Sequence, residues 1–139
     1  MDSTQVTRTR ASGQIHVANY EPTPYDQPDE GPQLVEIRVR ESFTGDITGE
    51  GMVRFLQTAH PDGTASFVGL ERVVGAVGGL SGSFVLQDEG TVANQLVTGS
   101  WFVVPGSGTG ELTGLRGEGG FTAVLGQNAD IHLDYWFEK

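Results

Sequence analysis

The sequence predicts an all-β fold, an antiparallel closed barrel of about eight strands, and three observations point there. Short runs rich in β-branched and aromatic residues recur at the spacing expected of a barrel or sandwich. Glycine clusters separate them: 21 of the 139 residues are glycine, roughly twice the usual share of ~7 %, with no collagen period. No stretch keeps a helical hydrophobic period long enough to compete, and no repeat of fixed length is visible. The length suits one domain with one core.

Residues 1–13 read as a flexible N-terminal segment, because the first ten mix Thr, Arg, Ser and Gln without apolar periodicity. Residues 14–139 then form a single barrel domain. Residues 20–32 carry Pro22, Pro24, Pro28 and Pro32 among Asp26, Asp29 and Glu30, a composition that favours a long loop over a ladder. Strands are expected at 14–18, 34–43, 49–59, 65–77, 82–88, 99–104, 119–125 and 130–138.

Hairpin loop length sets which residues face each other. A three-residue loop at Pro61-Asp62-Gly63 sets Gln57 against Phe67, Phe55 against Gly69 and Val53 against Glu71. A three-residue loop Thr44-Gly45-Asp46 sets Val35 against Phe55 and Ile37 against Val53, with Arg40 opposite Glu50 and Glu36 opposite Arg54. Opposite charges across a ladder favour that register by roughly 0.2–1 kcal/mol each. A four-residue loop at Gly78-Gly79-Leu80-Ser81 sets Val73 against Leu86 and Glu71 against Asp88. The inner face so defined holds Val35, Ile37, Val39, Phe43, Val53, Phe55, Phe67, Val73, Val77, Phe84 and Leu86. Gln57, Glu71 and Asp88 sit among them, and the last hairpin adds Phe121, Ala123, Leu125, Ile131, Leu133, Tyr135 and Phe137. A closed sheet of about eight strands is filled by side chains or holds one small ligand.

Charge and composition exclude several functions. The net charge of −10 repels phosphate backbones and anionic lipid, so neither nucleic acid nor membrane is an expected partner. With no run of ~20 apolar residues and no apolar stretch at the N-terminus, a cytoplasmic protein is expected. The absence of Cys removes disulfides, thiol nucleophiles and thiolate metal sites. His16, His60 and His132 lack metal-ligand spacing, and the calcium-loop pattern is absent, so no metal or cofactor is expected. No serine sits in a nucleophile elbow. The Gly-x-Gly of 106–112 precedes β-rich sequence and reads as a turn or bulge instead of a phosphate loop.

The runs VGLERVVGAVGGLSGSFVLQDEG and SWFVVPGSGTGELTGLRGEGGF, with LDYWFE, FTGDITGEG and DGTASFVGLER, resemble the bacterial domain-of-unknown-function family 3224 over roughly residues 14–138. The segment WFVVPGSGTGELTGLRG is more distantly similar to allene oxide cyclases and dirigent proteins. That resemblance implies an allene oxide cyclase-like, calycin-like barrel of eight antiparallel strands. In those relatives the barrel holds an apolar substrate and steers a cyclisation or coupling. Members of family 3224 usually have His where this chain has Asp88, so a Glu–His pair is not available here.

Glu71 and Asp88 are the candidate catalytic residues. The register puts Glu71 among Val53, Val73 and Phe55, where ionisation is disfavoured. Two carboxyls in one apolar hollow tend to share a proton, leaving one acid and one base near neutral pH, as an isomerase or cyclase needs. Structural ion and hydrogen-bond networks perturb acids in the same way, with Gln57, Arg72 or a buried water as partners. Gln57, Phe55, Phe67, Trp101 and Tyr135 are the candidate ligand-binding residues. Trp101 and Tyr135 offer flat apolar surface with a polar tip, although such rings more often simply fill cores.

The reading is a small barrel that binds a hydrophobic small molecule, either converting it by proton transfer and conformational control or merely holding it. The contrasting reading is a packed structural module. Leu34, Met52, Leu56, Val68, Leu70 and Val74 alternate with Arg38, Arg54 and Arg72 on the outer face, a mixture typical of interfaces, so a homo-oligomer is expected on either reading.

Overall fold

The computed structural model describes residues 7–138. Its strands are β1 (Thr9–Asp26), β2 (Gln33–Gly45), β3 (Ile47–Ala59), β4 (Ala65–Val77), β5 (Leu80–Ala93), β6 (Leu96–Val103), β7 (Leu115–Val124) and β8 (Ala129–Phe137). Each pairs antiparallel with the next, and β8 pairs back onto β1, so the sheet closes as an eight-stranded barrel. The β3–β4 register is the expected one: Val53 faces Glu71, Phe55 faces Gly69 and Gln57 faces Phe67.

One end of the barrel is packed shut. Ile47, Val73, Val77, Phe84, Val103, Leu115 and Leu133 fill it, and the 3-10 turn Gly110–Leu112 between β6 and β7 drops Leu112 onto them as a plug. Thr109 ties this plug to β5: its N–H donates to the Ser83 carbonyl at 2.9 Å, and its hydroxyl accepts from the Ser83 N–H at 3.1 Å. The glycine-rich 106–112 stretch is therefore the turn-and-plug segment, without a helix long enough to cradle phosphate.

Two expected registers move by two residues, which keeps each side chain on its face but changes its partner. Ile37 pairs with Phe55 and Val39 with Val53, because Ile47, wholly buried, pairs with Val77 of β4 instead of facing Phe43. Arg40 consequently faces Met52 and Arg38 faces Arg54; Glu36 reaches Arg38 at 3.1 Å along its own strand and Arg54 only at 4.0 Å. The β4–β5 loop is the two-residue Gly78-Gly79, with φ of +56° and +85°, the left-handed pair of a tight hairpin turn. Glu71 thus faces Leu86, and Asp88 faces Gly69.

β1 also departs from expectation: it begins at Thr9, inside the segment read as flexible, and runs through Pro22 and Pro24. Residues 1–6 lie outside the described residues. β8 covers β1 only from Thr9 to Ile15, so residues beyond it pair with β2 alone. A proline on such a free edge forfeits no ladder bond. Leu125, expected inside, follows the end of β7 and is exposed.

Candidate functional site

Three strands each turn one acid into the open half of the barrel. Glu41 alternates with Val39 and Phe43 on β2, Glu71 with Val73 on β4, and Asp88 with Leu86 on β5. All three are buried, with exposures of 8 %, 1 % and 3 %. Glycines on the neighbouring strands make the room. A methyl at Gly51 would collide with Glu71 Oε2, and one at Gly69 would lie 2.7 Å from Asp88 Oδ1. Those same two oxygens, Glu71 Oε2 and Asp88 Oδ1, have no hydrogen-bond partner.

The acids line a cavity of about 560 Å³. Its walls are apolar and aromatic, chiefly Ile15, Val39, Phe55, Val97, Trp101 and Phe121. Trp101 is fixed by its indole N–H, which donates to the His132 carbonyl at 3.0 Å, and Phe121 tilts against it with ring centroids 5.0 Å apart. Val17 and Tyr20 of β1 and the turn at 125–128 form the mouth. The volume falls within the range of small-molecule pockets.

Burial pushes all three carboxyls up. Glu71 rises well above its usual range, first from desolvation, then from the proton-sharing contact with Glu41 and the charges of Glu41 and Asp88. Desolvation raises Glu41, and its contact with Glu71 offsets part of that rise. Desolvation and the Glu41 charge bring Asp88 up to about 7. Carboxyls whose proton affinities are raised and linked in this way can hold a proton between them and exchange it near neutral pH.

A family model described as a protein of unknown function, DUF3224, matches residues 11–135. The chain belongs to the DUF3224 family. A solved DUF3224 protein of unknown function from Shewanella oneidensis MR-1 is 28 % identical, with a TM-score of 0.76 over 95 % of this chain and 99 % of that one. No curated protein shows significant similarity.

In this DUF3224 barrel, Glu71, Asp88, Phe55 and Trp101 come together at the cavity wall. Phe67 stands behind them, edge-on to Phe55 with ring centroids 5.1 Å apart and 6.2 Å from Phe121. Gln57 and Tyr135 do not line the cavity. Gln57 is half-buried on β3, and Tyr135 packs beside Phe137 toward the closed end. Glu41 is the third acid at the cavity wall, and it was not among the candidate residues expected from the sequence. Its signal was the alternation Val35, Ile37, Val39, Glu41, Phe43, which puts it on the inner face by parity alone.

Proposed function

We propose that this DUF3224 barrel binds a hydrophobic small molecule in its open half and moves a proton on it. What carries the reading is the pair of buried carboxyl oxygens, on Glu71 and Asp88, left without a protein partner at the wall of an apolar chamber. An unmade hydrogen bond on a buried polar group costs about 1–3 kcal/mol, and a bound molecule with donor groups removes that cost. The remote resemblance to allene oxide cyclases and dirigent proteins supports the same kind of occupant, an apolar molecule folded by the walls. Glu71 is the acid that protonates the ligand, and Asp88 is the base that takes a proton from it. Trp101 and Phe121 hold the ligand body against them.

Hydrogen–deuterium exchange at the acidic carbon of a small cyclic ketone, 2-tetralone, tests both parts. With protein in D2O, NMR should show exchange faster than in buffer, and Glu71→Gln should slow it with the circular dichroism spectrum unchanged. Unchanged exchange in that variant removes Glu71 from the mechanism. A purely binding barrel instead shows no acceleration, yet still takes up the neutral dye Nile red and loses it on Ala123→Phe, which fills the chamber. We also propose a homo-oligomer, formed through the outer face of β3 and β4.

A further inference from the structure

The charged groups of the chamber are all acidic, and its neutral polar side chains, Tyr20, Gln127 and Asn128, stand at the mouth. Glu41, Glu71 and Asp88 project from β2, β4 and β5, while β3, β6, β7 and β8 contribute uncharged side chains such as Phe55, Trp101, Phe121 and Ala129. Among the described residues the lining contains no Arg, Lys or His. The two orphaned oxygens, Glu71 Oε2 and Asp88 Oδ1, are acceptor positions.

We propose that the cavity is built for a lipophilic amine, with an apolar body against the aromatic walls and one cationic nitrogen against the carboxyls. The inference rests on the cavity-binding reading above but not on its proton-transfer step. An ammonium is donor-only, which suits the two unpartnered carboxyl oxygens, and it can reach more than one acceptor at once. It also supplies the positive charge that buried carboxylates need to remain ionised. A hydroxyl satisfies one acceptor and leaves that charge uncompensated. A carboxylate ligand, such as a fatty acid, meets like charge from the three acids and is rejected.

The walls suit a cation as well. Trp101, Phe121 and Phe55 present ring surface to the chamber, and an aromatic face attracts ammonium by its quadrupole. A bare metal ion is a poorer match, because no group of three His, Cys, Asp or Glu among the described residues is gathered tightly enough to ligate one. The three acids instead line a chamber large enough for a drug-sized molecule.

Calorimetric titration with naphthylmethylamine, naphthylmethanol and naphthoate near neutral pH tests the assignment, since the three share one apolar body. The expected result is amine binding at least about tenfold tighter than the alcohol, the effect of one charge-assisted hydrogen bond, with no detectable naphthoate binding. Asp88→Asn, and independently Glu41→Gln, should each shrink the amine-to-alcohol ratio. Alcohol binding as tight as the amine, or naphthoate binding at all, overturns the amine assignment while leaving the cavity reading intact. Failure of all three to bind overturns both.

Discussion

The Glu71 carboxyl occupies the space that Gly51 leaves by having no side chain. A Cβ at position 51 would run into Glu71 Oε2 and come within 2.9 Å of the Phe43 ring. The void on the adjacent strand therefore helps to aim the acid, since Oε2, the oxygen turned toward Gly51, has no hydrogen bond to direct it.

Gly51→Ala should accordingly destabilise the barrel by roughly 1–3 kcal/mol, the usual cost of overpacking. Shortening the acid should relieve it. In Gly51→Ala with Glu71→Ala the two effects should fall short of additive by roughly 0.5 kcal/mol or more, read from urea unfolding of the four proteins. Strict additivity would mean that Gly51 does not position Glu71.

Much of this arrangement was legible in the sequence, and the reasons differ by element. Arg54 between Val53 and Phe55, and Ser66 before Phe67, help to fix faces even though Met52, Leu56 and Val68 also point outward, and Pro61-Asp62-Gly63 fixes one register outright. Faces survive an error of two residues because the side-chain period is two, so Glu71 and Asp88 were correctly turned inward despite the wrong partners. The partners themselves depended on Ile47 pairing across to Val77 and on Gly78-Gly79 closing the turn unaided. Those choices are made by burial at the closed end, which no local pattern reveals. The proline-bearing end of β1 was hidden for the opposite reason: only the barrel's closure geometry makes it a one-sided edge where proline is tolerated.

The buried acids make stability depend on pH with the sign opposite to that of ordinary ion-paired carboxylates. Asp88, raised from 3.8 to about 7, binds its proton more tightly in the folded state than in the unfolded state. The native protein therefore holds more protons between those values, and stability falls as pH rises through that window. Glu71 and Glu41, also raised, act in the same direction. Asp62 and Asp134, held low by Thr64 and Arg10 respectively, lose their contribution only in more acidic solution. The unfolding free energy should thus be highest at mildly acidic pH and decline toward alkaline pH by an amount on the order of a few kcal/mol, read as a falling melting temperature. Asp88→Asn should flatten the decline; a wild-type profile already flat over this range would show that these carboxyls are not desolvated.

The outer face of β3 and β4 carries the proposed contact between copies. Across this ladder Met52 pairs with Arg72, Leu70 with Arg54, and Leu56 with Val68, and every apolar member of the set is about half exposed or more. Such a patch, apolar with arginines interleaved, is self-complementary in composition. Light scattering at micromolar concentration should report more than one chain per particle. Leu70→Glu with Met52→Glu should return it to one chain without loss of secondary structure, and a monomeric wild type would rule the contact out.

Phe121 reaches the chamber by lying over a glycine. Gly99 faces it across the β6–β7 ladder, and a methyl there would meet three atoms of its ring. The ring covers exposed backbone while turning its other side to Trp101 and the cavity. Gly99→Ala should push the ring into the chamber and reduce Nile red or amine binding, while Phe121→Ala should enlarge the chamber and weaken the same ligands by removing wall contact. The two variants together distinguish the causes: with the ring gone, a methyl at 99 has nothing to displace. Gly99→Ala added to Phe121→Ala should therefore change binding little further. A full additional loss, measured by calorimetry, would mean that Gly99 acts through the backbone of β6 and not through the ring it carries.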